Sequence, residues 1–266
     1  MPSKSIAFDR AASYYDETRG FPPGEEAPIA ALFAAAGGLV PSSRVLEFGV
    51  GTGRIALPLA RHVRAIVGID LARPMLDRLR AKQTGEPVHL AQADATRLPF
   101  APGVFDAAVA VHVFHLIAAW QDVLREIDRV LRPGGVLLNG WTDRSRVERE
   151  DVLWQAWNQA VGTEQTRHIG VQPAQFETSF AEQGWRPVGS VQVHVYPVLR
   201  IPQQFLERLE QRTWSSQWEM PDDLHARGVA AVRAAIESHQ LDPLQPVALA
   251  MSFHVQAFLP PEGQGV

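Results

Sequence analysis

The sequence predicts an α/β fold, a doubly wound sheet with helices on both faces. Three observations predict it. Through the first half of the chain, short apolar runs alternate with amphipathic helical patterns. The run Val45-Leu46-Glu47-Phe48 passes straight into the glycine-rich turn Gly49-Val50-Gly51-Thr52-Gly53. Two further strand patterns, one beginning about Ser190 and one from Ala248 to Phe258, close the chain and bring the strands to seven.

The elements follow in order. Glu25 to Ala36 reads as a helix between the loop Phe21-Pro22-Pro23-Gly24 and Gly37-Gly38. Val45–Phe48 is a buried strand, and Ile55 onward reads as a helix, with Pro58 inside it removing a backbone donor and bending it. Ala65–Asp70 is a second strand ending in an acid. Val88–Ala95 is a third, with Asp94 near its end, and Phe105–His112 is a fourth. Trp120 to Leu131 places Val123, Leu124, Ile127 and Val130 on one helical face and stops at Arg132-Pro133-Gly134-Gly135. Val136-Leu137-Leu138 begins the fifth strand. After Trp141 the composition shifts toward Gln, Trp and Pro. Helices are expected over Arg146–Val161, Pro173–Gln183, Ile201–Arg212 and Asp222–Ser238, with Val191, Val193 and Val195 on one face of the sixth strand. The reading is one domain over residues 1–266: cap helices in 1–40, a binding core in 41–141, and a last part, 142–266, with a helical insertion at roughly 200–240 placed to act as a lid.

Glycines at a strand-to-helix turn let the backbone pass close to a ligand, because no Cβ intervenes and positive φ is cheap. The dinucleotide fingerprint wants its third glycine three positions beyond the second. Here that position is Arg54, and the glycine comes one residue early, at Gly53. The spacing therefore leans away from a dinucleotide, and no pyrophosphate partner is needed if the ligand is a mononucleoside carrying an amino-acid tail. Asp70 at its strand end can accept from two ribose hydroxyls, and Asp94 from an adenine amino group.

In this order and at these spacings, Glu47 to Gly53, Ile69-Asp70, Ala93-Asp94-Ala95, Leu98-Pro99-Phe100, Phe105-Asp106 and Leu131 to Gly135 form a joint signal over residues 8–141. The chain resembles the class I S-adenosylmethionine-dependent methyltransferases, in the small-molecule group that includes the quinone-biosynthesis C-methyltransferases. The resemblance implies a Rossmann-like seven-stranded sheet, mostly parallel with an antiparallel last strand. It implies S-adenosyl-L-methionine as cofactor, held by Tyr15, Arg19, Glu47, Gly49, Gly51, Gly53, Asp70, Leu71, Asp94, Ala95 and His112. Phe8 to Arg19 matches the helix that closes over the cofactor in that family, with Tyr15 and Arg19 near the methionine carboxylate, where an Arg fork suits a carboxylate. The alternative there is a solvated amphipathic helix. His112 and His115 are the candidate catalytic bases, with Tyr14 and Asp143 behind them. The competing role for either histidine is a hydrogen-bonded structural one. Trp214, Trp218 and Met220 can wall an acceptor pocket or pack the insertion.

Composition sets the remaining bounds. Net charge is −4 with no basic block, so no nucleic-acid partner is expected. With no cysteine there are no disulfides, thiolate metal sites or thiol nucleophiles, and His62, His89 and His225 have no ligand spacing, so no metal is expected. Neither a signal peptide nor a membrane-length apolar run is visible, which makes the cytoplasm the expectation, with a small-molecule acceptor and a monomer or homodimer. Val111-His112-Val113-Phe114-His115 stands where amino-directed nucleic-acid enzymes carry an Asn/Asp-Pro-Pro-aromatic motif. Methyl transfer to a small organic acceptor is the leading activity. A non-catalytic cofactor-binding protein and a nucleotide-dependent oxidoreductase are the alternatives.

Overall fold

The computed structural model describes residues 5–162 and 169–261. Its frame is one seven-stranded sheet. β1 (Arg44–Phe48), β2 (Ala65–Asp70), β3 (Val88–Gln92), β4 (Phe105–Val111), β5 (Leu131–Arg144), β6 (Arg186–Arg200) and β7 (Val247–Leu259) lie in the order β3-β2-β1-β4-β5-β7-β6. The first five strands pair in parallel, and the β5-β7-β6 end is antiparallel, as the resemblance implied. Phe48 pairs with Ile69 on one side and Ala110 on the other, so the carboxyl ends of β1, β2 and β4 finish level. The chain runs outward from β1 through β2 to β3 and then returns to place β4 on the other side of β1. This switch of direction opens the crevice in which doubly wound sheets hold ligands.

Nine helices accompany the sheet among the described residues: α1 (Tyr15–Arg19), α2 (Glu26–Ala36), α3 (Ala56–Leu59), α4 (Arg73–Lys82), α5 (Trp120–Val130), α6 (Glu148–Val161), α7 (Phe176–Glu182), α8 (Pro202–Glu210) and α9 (Asp222–Ser238). The amphipathic reading of α5 holds: Val123, Leu124, Ile127 and Val130 are all buried, each worth about 1.5–3 kcal/mol against exposure. They join Phe105, Phe114, Phe180 and Trp185 in one apolar core. The helix expected from Ile55 onward is a single turn. Pro58 removes its third N–H, and the helix ends one residue later, at Leu59. α4 is an element that the motif reading passed over; it packs Met75, Leu76 and Leu79 inward.

The chain divides into two compact units. Among the described residues, one holds 5–142, 169–194 and 253–261; the other holds 143–162 and 195–252. The second is built on α6, α8 and α9, around Leu153, Trp157, Leu209, Leu224 and Val232. Its tryptophans pack within it: Trp214 lies edge-on to Trp154 at 5.4 Å and against Phe205 at 5.8 Å. The Trp218 indole N–H donates to the Arg212 carbonyl at 2.9 Å. No described helix is long and apolar enough to cross a membrane.

Candidate functional site

The nominated cofactor residues, His112, His115 and Tyr14 belong to the first unit; Asp143, the other candidate base, and Trp214, Trp218 and Met220 fall in the second. The glycine turn begins where β1 ends, and its three glycines do different work. Gly49 (φ 65°) and Gly53 (φ 82°) are packing positions. A Cβ would stand 2.7 Å from Val113 Cγ2 at the first and 2.7 Å from Leu79 Cγ at the second. Gly51 (φ 54°) faces open space, where a Cβ would meet nothing nearer than Tyr15 Cε1 at 3.9 Å. The turn is thus fixed at both ends by side chains and left bare in the middle, beneath the Tyr15 ring. Tyr15 is itself held edge-on by Phe8 at 6.1 Å.

Asp70, last residue of β2, is tied to this turn directly. Its Oδ2 accepts from the Gly51 N–H and its Oδ1 from the Ala72 N–H, each at 2.9 Å. An ionised carboxylate offers about four lone-pair sites, so acceptor capacity remains after these backbone bonds. Burial raises its pKa above the usual carboxylate range, against the backbone donors, which lower it. Leu71 follows it, its carbonyl accepting from Gln92 Nε2 at 2.8 Å. Asp94 lies just past β3, beside Asp70: the Ala93 N–H donates to the Asp70 carbonyl at 3.2 Å. Asp94 Oδ1 accepts from the Thr96 N–H at 2.9 Å and from its hydroxyl at 2.8 Å, and Ala95 beside it is buried.

Glu47 is the most perturbed acid of the site. It is 3 % exposed, and its Oε2 is buried without a hydrogen-bond partner. Burial pushes its pKa up to about 8, with the Arg54 charge working the other way and Asp70 reinforcing the rise. At neutral pH the group is therefore mostly protonated.

The residues that the motif reading missed supply the positive side. Arg54 reaches back to the N-terminal segment, donating from Nη1 to the Arg19 carbonyl at 2.6 Å and lying over the Phe21 ring at 4.7 Å. Thr52 donates from its hydroxyl to Asp16 on α1 at 2.5 Å, and Lys82 pairs with the same carboxylate at 3.0 Å. The sequence signal for Arg54 was its place directly after the turn. For Asp16 it was adjacency to Tyr15, which does not reveal the contact. α3 is too short to carry much dipole, so Arg54 contributes local positive charge that a longer helix would otherwise supply.

His112 follows β4 in a left-handed conformation (φ 52°), uncommon for a residue with a Cβ. Its Nε2 is 3.1 Å from the Thr142 hydroxyl. Burial, then the charges of Arg54, His115 and Arg19, hold its pKa well below the usual imidazole range. The ring is neutral at physiological pH. His115 sits in the following short turn, where its carbonyl accepts from the Gly170 N–H at 3.2 Å. The structure thus gathers Tyr15, Arg19, Glu47, Gly51, Asp70 and His112 around the end of β1, with Asp94 and Ala95 one strand further out and His115 behind His112. No metal-binding cluster of acids and histidines occurs among the described residues.

Comparison with known proteins agrees with this geometry. Residues 46–139 match the family described as "Methyltransferase domain". The demethylmenaquinone methyltransferase of Thermus thermophilus is 40% identical over 99 residues, 36% of this chain and 45% of that protein. The phosphatidylethanolamine N-methyltransferase of Cereibacter sphaeroides is 45% identical over 96 residues, 35% of this chain and 47% of that protein. These matches span about half the length of the relatives. Among solved structures, phosphoethanolamine N-methyltransferase 2 of Haemonchus contortus, in complex with phosphomonomethylethanolamine and S-adenosylhomocysteine, superposes with a TM-score of 0.54 at 20% identity, over 96% of this chain and 58% of that one. That likeness concerns the fold. Strand order, glycine turn and family match agree in placing residues 46–139 with the methyltransferase domains.

Proposed function

We propose that the protein transfers a methyl group from S-adenosyl-L-methionine to a small organic acceptor. The observation that carries the reading is the bare cradle at Gly51. It has open space where a Cβ would stand and a ribose-competent carboxylate bonded to its N–H, and the buried, partnerless Glu47 oxygen lies in the field of that carboxylate. These residues fit the cofactor. Glu47 Oε2 is an acceptor for an ammonium N–H, Asp70 for ribose hydroxyls, and Asp94 for an adenine amino group. Tyr15 covers the turn, and Arg19 brings positive charge for a carboxylate. When bound, the cofactor supplies an activated, electrophilic methyl group.

The chain's own contribution is placement and exclusion of water. His112, held neutral and anchored to Thr142, offers an imidazole that can accept a hydrogen bond or a proton from the acceptor's nucleophilic group. The two relatives are named for different acceptors, demethylmenaquinone in one and the nitrogen of phosphatidylethanolamine in the other, so the class is proposed no more finely. The test is incubation with methyl-labelled cofactor and a panel of phenols, quinones and amines, following label transfer and S-adenosylhomocysteine release. Label in at least one acceptor with stoichiometric S-adenosylhomocysteine supports the reading. Tight cofactor binding without transfer to any acceptor class would favour a non-catalytic binding protein.

A further inference from the structure

The glycine turn grips the N-terminal segment from two residues that flank Gly53. Thr52 donates to Asp16 at 2.5 Å, near the start of α1, and Arg54 Nη1 donates to the carbonyl of Arg19, its last residue, at 2.6 Å. Gly20 then turns the chain out of the helix. Its N–H donates to the Asp16 carbonyl at 2.8 Å, and a Cβ there would stand 2.4 Å from the same oxygen. The next residue, Phe21, lays its ring against the Arg54 guanidinium, 4.7 Å from Cζ to centroid. Phe21 is supported in turn: it meets Phe253 edge-on at 5.5 Å, and Phe253 leans on Phe33 of α2 at 5.9 Å. All of these residues belong to the first unit.

Arg54 is half-buried and pairs with no carboxylate among the described residues. A guanidinium without an ion-pair partner keeps its field. After burial, Arg54 is the largest influence on both perturbed groups of the site: it lowers the Glu47 pKa, where Asp70 raises it, and it lowers that of His112, where His115 and Arg19 act in the same sense. The two groups that hold the guanidinium in place, the Arg19 carbonyl and the Phe21 ring, both lie on the N-terminal segment and not on the turn.

We propose that Arg54 is a positioning residue that latches the N-terminal segment over the glycine turn, so that the segment and the charge facing Glu47 and His112 move together. The inference rests on the reading of the cradle as a cofactor site. With the segment down, the guanidinium is held where it favours ionised Glu47, the form that accepts from the cofactor's ammonium group. With the segment lifted, Arg54 loses both contacts and its charge enters water, where screening removes most of its reach. Closure thus assists removal of the proton that the ammonium pair requires.

The test uses the whole chain and two readouts: hydrogen exchange of residues 5–20 without cofactor, and calorimetric titration with S-adenosylmethionine from pH 6 to 9. Arg54→Met should speed exchange of the segment and weaken cofactor binding at pH 7, each by about fivefold or more, and should move the pH of tightest binding upward. Phe21→Leu leaves the turn untouched and should speed the same exchange. The double variant should bind the cofactor no more weakly than Arg54→Met, because the ring acts through the guanidinium. Arg54→Lys keeps a cation over the ring and should restore the pH of tightest binding. If Arg54→Met fails to fold, exchange in Phe21→Leu and the profile of Arg54→Lys decide. Wild-type protein that binds no cofactor refutes the cofactor reading, and the exchange readout then judges the latch alone. Segment exchange unchanged in both single variants, a pH of tightest binding unmoved in Arg54→Met, or losses that multiply in the double variant would overturn the proposal.

Discussion

Glu47 makes the cofactor affinity a proton-coupled quantity. Its pKa stands at about 8 in the folded chain because burial penalises the carboxylate, and its buried Oε2 has no hydrogen-bond partner. An ammonium group binds the ionised form. Below pH 8, forming the pair therefore costs the removal of one proton, about 1.4 kcal/mol and a factor of ten for every pH unit. Because the ligand's own α-amino group titrates close to the same pH, the apparent affinity for S-adenosylmethionine should lie about threefold below its peak at pH 7 and about twentyfold below it at pH 6. Above pH 8 the ligand's own α-amino group, with an ordinary value of about 7.7–8.0, loses its proton and affinity falls again. The profile should peak near pH 8, with a proton released to buffer below the peak and taken up above it. Calorimetry in two buffers of different ionisation enthalpy reads both. Glu47→Gln should flatten the acidic limb. Stability moves in step: a carboxyl whose folded value lies above the unfolded 4.5 contributes most below that pH, and the contribution is lost as pH rises through about 8. Glu47→Gln should then be the more stable protein at pH 9. A wild-type affinity that is level from pH 6 to 8, with no proton release, would refute the reasoning.

Three further outcomes separate the roles of neighbouring residues. Gly51→Trp should abolish cofactor binding while the chain stays folded, because the side chain enters open space under Tyr15; Gly53→Ala should instead lower stability by about 1–3 kcal/mol, since its Cβ lands 2.7 Å from Leu79 in a left-handed backbone, and circular-dichroism melts with titrations distinguish the two. With cofactor saturating, the methylation rate should show no limb near pH 6.5, because His112 is already neutral there; a limb at that pH which disappears in His112→Ala would contradict its depressed pKa. Asp16→Ala removes two half-exposed ion pairs, worth little, and leaves the buried Thr52 hydroxyl without its acceptor, so stability should fall by about 1–3 kcal/mol while cofactor affinity drops several-fold as α1 loosens over the turn, measured on the same sample by melting and titration.

The parts of the site that could be read from the chain were those written into one segment at a time. β1, its terminal acid and the glycine turn are contiguous, and Asp70 and Asp94 announce themselves as acids at strand ends. The Asp70 bond to the Gly51 N–H joins residues 19 positions apart, and the Thr52–Asp16 contact joins residues 36 apart; neither leaves a local pattern. Arg54 read only as a departure from the dinucleotide spacing, whereas its guanidinium reaches the Arg19 carbonyl, 35 residues away. In α3 Pro58 breaks the hydrogen-bond ladder on its N-terminal side, between the Leu57–Gly53 and Leu59–Ile55 bonds, which a helical pattern read from the apolar residues does not show. The second unit was the least legible because it is assembled from two separated stretches, 143–162 and 195–252 among the described residues, and α6 in the first packs on α9 in the second. The insertion expected at roughly 200–240 marks only part of that unit.

The central claim is that the cradle around Gly51 holds S-adenosylmethionine. Calorimetric titration of the purified protein with S-adenosylmethionine and with S-adenosylhomocysteine, beside Asp70→Ala as control, tests it most directly. The account predicts dissociation constants of about a micromolar or tighter for both ligands, roughly −8 kcal/mol, and at least a hundredfold loss in Asp70→Ala. Folded wild-type protein that binds neither ligand, or an Asp70→Ala variant that binds both as tightly as wild type, would contradict it.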